Sequence, residues 1–254
     1  MPILLALLVQ VPEKYVEAAK TIEIPELVAW ADRSPQHKKA VDIIGDRANW
    51  AKGLQRVDEK LGLFVAKPKI RVVVAENDEP RPAKGGGRRG EGEVHFNLRK
   101  MVEAIRKLED FEKMRGYGKD VKFRVPPTPL PALIHHELTH VFAGTYDELW
   151  LTEGLATFTA DETAHLWDFQ ERKAQLDTLD KTMTDRDAYA RGYCGVAWLE
   201  SKLGAEKFKA LVARLVEDGA GARKAIEEAT GLGWDAVLAA ERESARELLK
   251  KHTP

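Results

Sequence analysis

The sequence contains a single cysteine, Cys194, in 254 residues, so the chain cannot form an intramolecular disulfide. An excess of positive charge is also absent, because 40 lysines and arginines face 41 aspartates and glutamates. Proteins that bind nucleic acid through its phosphates usually carry a basic face, so this balance argues against a nucleic-acid partner. Cys194 lies in an apolar helical pattern, and we predict a small buried side chain rather than a nucleophile.

Long apolar runs are missing as well, because no stretch reaches the roughly 18 apolar residues that a transmembrane helix needs. Residues 3–9 form a shorter apolar run, which is either a buried strand or the remnant of an export signal. We therefore expect a soluble protein without a membrane span. It is expected to be cytoplasmic by default, with export as the alternative if residues 3–9 belong to a signal. The sequence does not indicate the oligomeric state.

One segment carries recognisable chemistry, namely HELTH at residues 136–140. Residues four apart lie on one face of a helix, so His136 and His140 can bind the same metal ion. Glu137, next to the first histidine, can hold the water molecule that a catalytic metal activates. Glu153, in the following segment WLTEGLA, is the predicted third protein ligand. This ligand set favours Zn²⁺, and the open fourth position is typical of a catalytic rather than a structural zinc site.

The surrounding sequence predicts that the motif lies on a helix. Four prolines before it, at 126, 127, 129 and 131, would stop any earlier helix, and Gly144 would end this one. A second amphipathic helix is expected to begin near Leu149 and to carry Glu153. The predicted buried side of the first helix consists of Leu133, Ile134, Leu138, Val141 and Phe142.

Together these blocks resemble the gluzincin metallopeptidases, in particular their aminopeptidase N-like and peptidase MA-like branches. A third block, YARG at residues 189–192 followed by an LGxxxF pattern at 203–208, is similar to a block downstream of the zinc ligands in that family. The resemblance covers roughly residues 134–211 and implies that Tyr189 donates a hydrogen bond to the transition state. Tyr193, one helical turn later, is the rival for this role.

The chain departs from the family pattern at three places, the first of which is a short spacing of only 12 residues between His140 and Glu153. It has no Gly-x-Met-Glu-Asn segment, which in the aminopeptidases grips the free amino terminus of the substrate, and the nearest equivalent is GEGEVHFN at residues 90–97. We therefore expect an endopeptidase or a narrow processing peptidase. Family members often carry an acid seven residues after the glutamate ligand, where this chain has Ala160. Asp161 is a candidate to orient a zinc histidine, although a solvated carboxylate is the simpler interpretation.

The remaining patterns predict an α+β fold, with a small mixed sheet and helices followed by a mainly helical C-terminal lobe. Three helices are predicted to begin at Glu13, after Pro25 and at Ser34, and the helix that begins at Ser34 is predicted to end at Gly62. A further helix is predicted over residues 99–114, and the chain is predicted to be helical after Pro131. Strands are predicted at 70–75, 93–98 and 121–125, with a loop at 77–92. Residues 1–130 would form an α+β lobe and 131–254 a helical lobe within one catalytic domain. The resemblance implies a zincin-like fold, with the active-site cleft between the lobes.

The function predicted from these residues is zinc-dependent hydrolysis of a peptide bond in a peptide or protein substrate, with Glu137 as general base and Tyr189 as oxyanion donor. An extended substrate would pair with residues 94–98 if these form an edge strand, although an internal strand is nearly as consistent with the sequence. The alternative function is a non-catalytic zinc-binding or peptide-recognition module that keeps the gluzincin fold. The other five histidines have no predicted role as ligands. His135 would pack or support the ligands from behind, and His95 would be an ordinary strand residue, although it could line the cleft. His37, His165 and His252 lack ligand-like spacing.

Overall fold

The computed structural model describes residues 11–116, 130–163, 165–166, 185–218 and 221–251. In these residues the chain forms a small three-stranded sheet surrounded mainly by helices, which confirms the predicted α+β class. The helices are α1 (Glu13–Lys20), α2 (Val28–Ala31), α3 (Pro35–Gly45), α4 (Arg47–Leu61), α5 (Leu98–Gly116), α6 (Leu130–Ala143), α7 (Leu149–Thr159), α8 (Asp185–Leu203), α9 (Ala205–Asp218), α10 (Ala222–Thr230) and α11 (Trp234–Lys251). The strands are β1 (Lys69–Ala75), β2 (Ala83–Arg88) and β3 (Glu91–Asn97). The strand predicted at 121–125 lies outside the described residues.

The sheet is mixed and has the order β1-β3-β2. Strand β3 runs parallel to β1 and antiparallel to β2. The prediction of a loop through residues 77–92 is therefore wrong where β2 forms. Its sequence AKGGGR has little intrinsic strand preference, but a tight turn at Arg89 and Gly90, with φ of 54° and 78°, folds it back onto β3. Pairing, rather than local composition, makes this segment a strand.

Strand β3 lies in the middle of the sheet, so of the two alternatives for residues 94–98 the edge strand is wrong and the internal strand is confirmed through Asn97. The strand beside the HELTH helix is instead β2. At the hairpin turn, the backbone N–H groups of Arg89 and Gly90 donate to the carbonyl oxygens of Phe142 and Val141, at 2.9 and 3.2 Å. These bonds satisfy carbonyl groups in the last turn of α6, which have no partner within the helix.

The helical pattern from residue 35 to residue 61 is divided into two helices at Asp46. This residue leaves the helical conformation (ψ 106°), and its side chain accepts a hydrogen bond from the N–H of Ala48. The single continuous helix that was predicted is therefore wrong, although the predicted Ser34 cap and the Gly62 stop are both present. The apolar periodicity continues across the break because both helices face the same core. Trp50 Nε1 even bridges the break by donating to the carbonyl of Ile44 at 2.7 Å.

The helix that carries the motif is buried on all sides. Every residue from Ile134 to Ala143 is buried, so the prediction of one buried face is wrong. Its apolar side chains join the core formed by the sheet and the N-terminal helices, while α7 covers another side. Helix α7 is likewise buried from Trp150 to Thr159 and is not amphipathic as predicted. The site residues on these two helices are thus enclosed by protein.

No helix among the described residues is both long and apolar enough to cross a membrane.

Candidate metal centre

His136 and His140 lie one turn apart on α6, with their Nε2 atoms 3.2 Å from each other. The ring centroids are 4.9 Å apart and the ring planes are inclined by 71°. Both side chains are buried. The four-residue spacing of the motif therefore produces the convergence of imidazoles that was expected of a helix.

Glu153, on α7, completes a group of three donors that could hold a metal ion. Its Oε2 lies 3.3 Å from Nε2 of His136 and 3.6 Å from Nε2 of His140. In a tetrahedral zinc site with bonds of about 2.0 Å, ligand atoms lie about 3.3 Å apart. The same Oε2 is buried and has no hydrogen-bond partner within the described part of the chain. Both the donor spacing and this unsatisfied oxygen fit a bound cation.

The position of Glu153 depends on a close crossing of α7 and α8. A Cβ added to Gly154 would lie 2.4 Å from the carbonyl oxygen of Gly192, and one added to Gly192 would lie 2.3 Å from that of Trp150. Only glycine fits at either position without moving a helix. Thr157 Oγ1 also donates to the carbonyl of Glu153 at 2.9 Å. The two glycines thus bring Glu153 on α7 close to the helix that carries Tyr189.

Glu162 orients the first histidine. Its Oε2 lies 3.0 Å from Nδ1 of His136, which directs the other ring nitrogen, Nε2, toward His140 and Glu153. A carboxylate behind a histidine ligand fixes the ring and raises its basicity as a ligand. Asp161 does not take this role, because its carboxylate pairs with Arg56 and lies 3.7 Å from Nζ of Lys60.

Sequence reasoning missed Glu162, although an acid near this point was expected from the family pattern. Helix α7 ends at Thr159, and Asp161 adopts a left-handed conformation with φ of 54°. Helical spacing therefore no longer indicates which acid points back to α6. The segment WLTEGLATFTADE contains two acidic residues after Glu153, and if both had been considered as partners of His136, Glu162 would have been among the candidates.

Glu137 is buried beside the three donors and is held by the edge strand. Its Oε2 accepts a short hydrogen bond from the backbone N–H of Gly85 on β2. A Cβ at Gly85 would lie 2.3 Å from the carbonyl oxygen of Glu137, so the strand can approach α6 only because this residue is glycine. Burial raises the pKa of Glu137, while the charges of His136 and His140 and the Gly85 N–H oppose this rise.

Tyr189, on α8, borders the same group. Its ring centroid lies 5.6 Å from that of His136 and 4.9 Å from that of His165, on which it stacks at an angle of 19°. Tyr193 instead packs against Phe158, with their ring centroids 6.0 Å apart. Burial raises the pKa of Tyr189, and the negative charge of Glu153 adds to the rise. The Tyr189 hydroxyl therefore keeps its proton and remains a hydrogen-bond donor.

The charges of the group are compatible with a bound cation. Burial alone would lower the pKa of His136, but Glu162 and Glu153 raise it well above its usual value. Burial alone would raise the pKa of Glu162, but the charge of His136 and hydrogen bonds from His136 and His165 lower this pKa to about 2. The pKa of Glu153 is likewise held far below its usual range, because the two imidazoles outweigh its burial. A divalent cation would neutralise this concentration of carboxylates without protonating a histidine.

The other singled-out residues lie outside the donor group. His135 packs against Gly53, and burial together with the charges of Arg56 and Lys52 lowers its pKa to about 4, so it is a neutral packing residue. His95 is exposed on β3 and lies 2.8 Å from a carboxylate oxygen of Glu93.

Cys194 is buried as predicted, and burial raises its pKa to about 12. His165, which had no predicted role, lies 3.5 Å from Oε2 of Glu162 and supports that carboxylate.

No protein-family model, no curated protein and no solved structure matches this chain.

Proposed function

We propose that this chain is a zinc-dependent peptidase of the gluzincin type, with a zincin-like fold and an active-site cleft between its two lobes. The spacing of three donor atoms on His136, His140 and Glu153 carries the proposal, because all pairs lie at 3.2 to 3.6 Å. Structural zinc sites use four protein ligands, whereas the residues that the structure describes offer three. The remaining position is available to water and substrate.

Bound zinc would polarise the scissile carbonyl and lower the pKa of water. Glu137 would accept the proton of the attacking water and pass it to the leaving amine. Two features of this chain suit Glu137 to that role. Burial raises its pKa toward the working pH, and the Gly85 N–H fixes one carboxylate oxygen so that the other can face the substrate.

Tyr189 would stabilise the negative charge that develops on the carbonyl oxygen during attack. Its ring lies against His136, and its hydroxyl stays protonated because burial raises its pKa. A donor held in a buried site in this way typically lowers the barrier by about 3 kcal/mol. The packing of Tyr193 against Phe158 makes Tyr189 the better candidate of the two.

The substrate would be an extended peptide that lies along β2 rather than along β3. Among the described residues, strand β2 is at the edge of the sheet, and it passes directly over Glu137 at Gly85. Main-chain pairing at an edge strand gives affinity for peptides of varied sequence. A peptide bound there would present its backbone to the proposed base.

The test is cleavage of a broad peptide library by protein loaded with zinc, with Glu137→Gln as the matched variant. Metal content is measured on the protein as isolated and after His140→Ala. We expect one zinc per chain, cleavage that a chelator abolishes and zinc restores, and no cleavage by Glu137→Gln despite full metal loading. Stoichiometric zinc without any cleavage would favour the non-catalytic zinc-binding or peptide-recognition module.

A further inference from the structure

One histidine outside the donor group contacts both the metal side and the tyrosine side of the proposed catalytic site. Nε2 of His165 lies 3.5 Å from Oε2 of Glu162, the carboxylate that orients His136. The ring of His165 also stacks on that of Tyr189, with centroids 4.9 Å apart and planes inclined by 19°. A single side chain therefore borders both the carboxylate behind the first ligand and the proposed oxyanion donor.

The two contacts use different parts of the imidazole. Glu162 meets the edge of the ring, where a nitrogen atom provides a polar contact. Tyr189 meets the face of the ring, at a separation and angle that are usual for stacked aromatic side chains. Because one contact depends on a nitrogen atom and the other on a flat ring, a substitution can remove one and keep the other.

Glu162 and Tyr189 come from different parts of the chain, and contacts with Thr157 bring their backbones together. The N–H of Glu162 donates to the carbonyl of Thr157 at 2.9 Å, and Thr157 Oγ1 lies 3.4 Å from the carbonyl oxygen of Tyr189. The two side chains extend beyond these bonds, and both contact His136 and His165. The two histidines thus determine where the carboxylate and the phenol point.

Of the two histidines, His165 makes the closer contact with Tyr189. The ring of His136 is tilted by 42° from that of Tyr189, and the centroids are 5.6 Å apart. The hydroxyl is at the far end of the tyrosine side chain, so any tilt of the ring displaces it. A displacement of about 1 Å in an active site can lower the rate by about 100-fold. The stack on His165 is therefore the contact best suited to hold the hydroxyl in place.

The position of His165 allows it to be replaced without opening the core. Its side chain is 30% exposed, whereas that of Glu162 is only 2% exposed. His165 is also not one of the three residues whose donor atoms could hold a metal ion. Replacing a partly exposed side chain usually costs little stability. An effect of such a variant on the site would therefore reflect the two contacts rather than unfolding.

We propose that His165 is a positioning residue of this site, whose ring edge holds Glu162 against His136 and whose ring face holds the hydroxyl of Tyr189 in place. The inference rests on the proposed function, because it concerns the zinc ligand and the oxyanion donor of that reaction. It adds a residue that neither the HELTH motif nor the downstream YARG block includes.

Two substitutions separate the two contacts. His165→Phe keeps an aromatic face for Tyr189 but has no nitrogen atom for Glu162, whereas His165→Gln keeps a polar group for Glu162 but has no ring. Zinc affinity is measured by competition with a chromophoric chelator. The kcat and KM are measured at saturating zinc, on a peptide that the wild-type protein cleaves.

Each variant should change one measurement and spare the other. His165→Phe should weaken zinc affinity by about 3- to 10-fold, less than the loss of a direct partner of the ligand, and should keep kcat within about threefold of the wild-type value. His165→Gln should keep zinc affinity within about threefold but lower kcat by about 10- to 100-fold, with little change in KM, because Tyr189 loses its stack.

His37 supplies the matched control, because its Nε2 lies 3.2 Å from a carboxylate oxygen of Glu76 and it belongs to α3, outside the site. His37→Phe and His37→Gln should leave zinc affinity and kcat within about threefold of the wild-type values. Thermal unfolding verifies that every variant is folded. A residue that only fills space would change both measurements together in both variants, and that result, or no change in either measurement, overturns the assignment.

The peptidase and the positioning role can fail separately, because the ring of Tyr189 can be followed without any substrate. The method is fluorine NMR of the zinc-loaded protein with fluorinated tyrosine at its five tyrosine positions, and Tyr189→Phe assigns the resonance. The shift of this resonance between light and heavy water grows with solvent exposure. It should increase in His165→Gln and stay near the wild-type value in His165→Phe.

These shifts and zinc affinities, together with no cleavage by the wild type, would remove the peptidase and keep the positioning role. Cleavage by the wild type, together with an unaltered Tyr189 resonance and unaltered zinc affinity in both variants, would remove the positioning role and leave the peptidase intact.

Discussion

The carboxylate of Glu162 lies 3.0 Å from Nδ1 of His136, while Nε2 of the same ring faces Glu153 at 3.3 Å. If the proposed function holds, replacing Glu162 by Gln should weaken zinc affinity by about 10- to 100-fold, because the ring loses the charged group that orients it. Competition with a chromophoric chelator measures this change. Asp161→Asn, one residue earlier, should leave the affinity unaltered because Asp161 pairs with Arg56 instead. Equal effects of the two variants would remove the role assigned to Glu162.

Tyr189→Phe tests the oxyanion donor. If the proposed function holds, kcat should fall by about 100- to 1,000-fold, since one preorganised hydrogen bond to the transition state is lost. The KM and the zinc content should change little, because the ring still packs against His136 and His165. Tyr193→Phe, on the same helix, should keep kcat within about threefold of the wild-type value. A larger loss from Tyr193→Phe than from Tyr189→Phe would reverse the assignment.

The crossing of α7 and α8 should not tolerate a methyl group. Gly154→Ala and Gly192→Ala each place a Cβ under 2.5 Å from backbone, so each should lower the free energy of unfolding by about 1–3 kcal/mol or more. Urea unfolding measures this loss. Gly45→Ala, where a Cβ meets nothing within 4 Å, should stay within about 1 kcal/mol of the wild type. If Gly154→Ala left the free energy of unfolding unchanged, the two helices could move apart without loss of stability.

The buried pair of Arg191 and Glu241 joins α8 to α11, with one contact at 2.6 Å and exposures of 2% and 1%. Arg191→Met alone should lower the free energy of unfolding by about 3–5 kcal/mol, because it leaves a buried carboxylate without its partner. The double variant Arg191→Met, Glu241→Leu should recover most of this loss. A double-mutant cycle in urea checks the prediction, and strictly additive losses would contradict it.

Cys194 should make the protein less stable at alkaline pH. Its pKa is about 12 when folded, against 9.0 for the ordinary thiol. Between these values the unfolded chain releases a proton that the folded chain keeps, so the unfolded state binds fewer protons and the free energy of unfolding falls as pH rises. The fall due to this thiol should reach about 2 kcal/mol by pH 10.5.

Cys194→Ala is the matched control for that measurement. Urea unfolding from pH 8 to 10.5 should show a shallower decline in the variant, with a remaining slope from tyrosines such as Tyr146, whose pKa burial raises to about 12. Parallel curves for the two proteins would show that the thiol ionises equally in the folded and unfolded states.

Local signals predicted the parts of the structure that depend on neighbouring residues. The four-residue spacing of His136 and His140 and the stop at Gly62 are properties of a single helix, so the sequence alone predicts them. The break at Asp46 was missed because the apolar pattern continues across it. Local composition is a poor guide where distant pairing decides the structure, as in β2, whose glycines form a strand only beside β3 and α6.

The candidate site shows the same limit. The sequence places the three donors and Glu137 by motif, and the structure brings these four residues together. Glu162 and His165 follow the end of α7, where no helical period applies, so their positions depend on the path of the turn through Asp161. Gly85 is 52 residues before Glu137, and no local pattern relates a strand backbone to that carboxylate.

The hydrogen bond from Gly85 to Glu137 has a practical consequence for mutagenesis. The donor is a main-chain N–H, so substitution by alanine does not remove it. An alanine scan would report only the steric clash of the new methyl group. An amide-to-ester replacement at residue 85, made by semisynthesis, would remove the N–H and leave the shape of the strand unchanged. Conventional genetics would overlook the contribution of this residue.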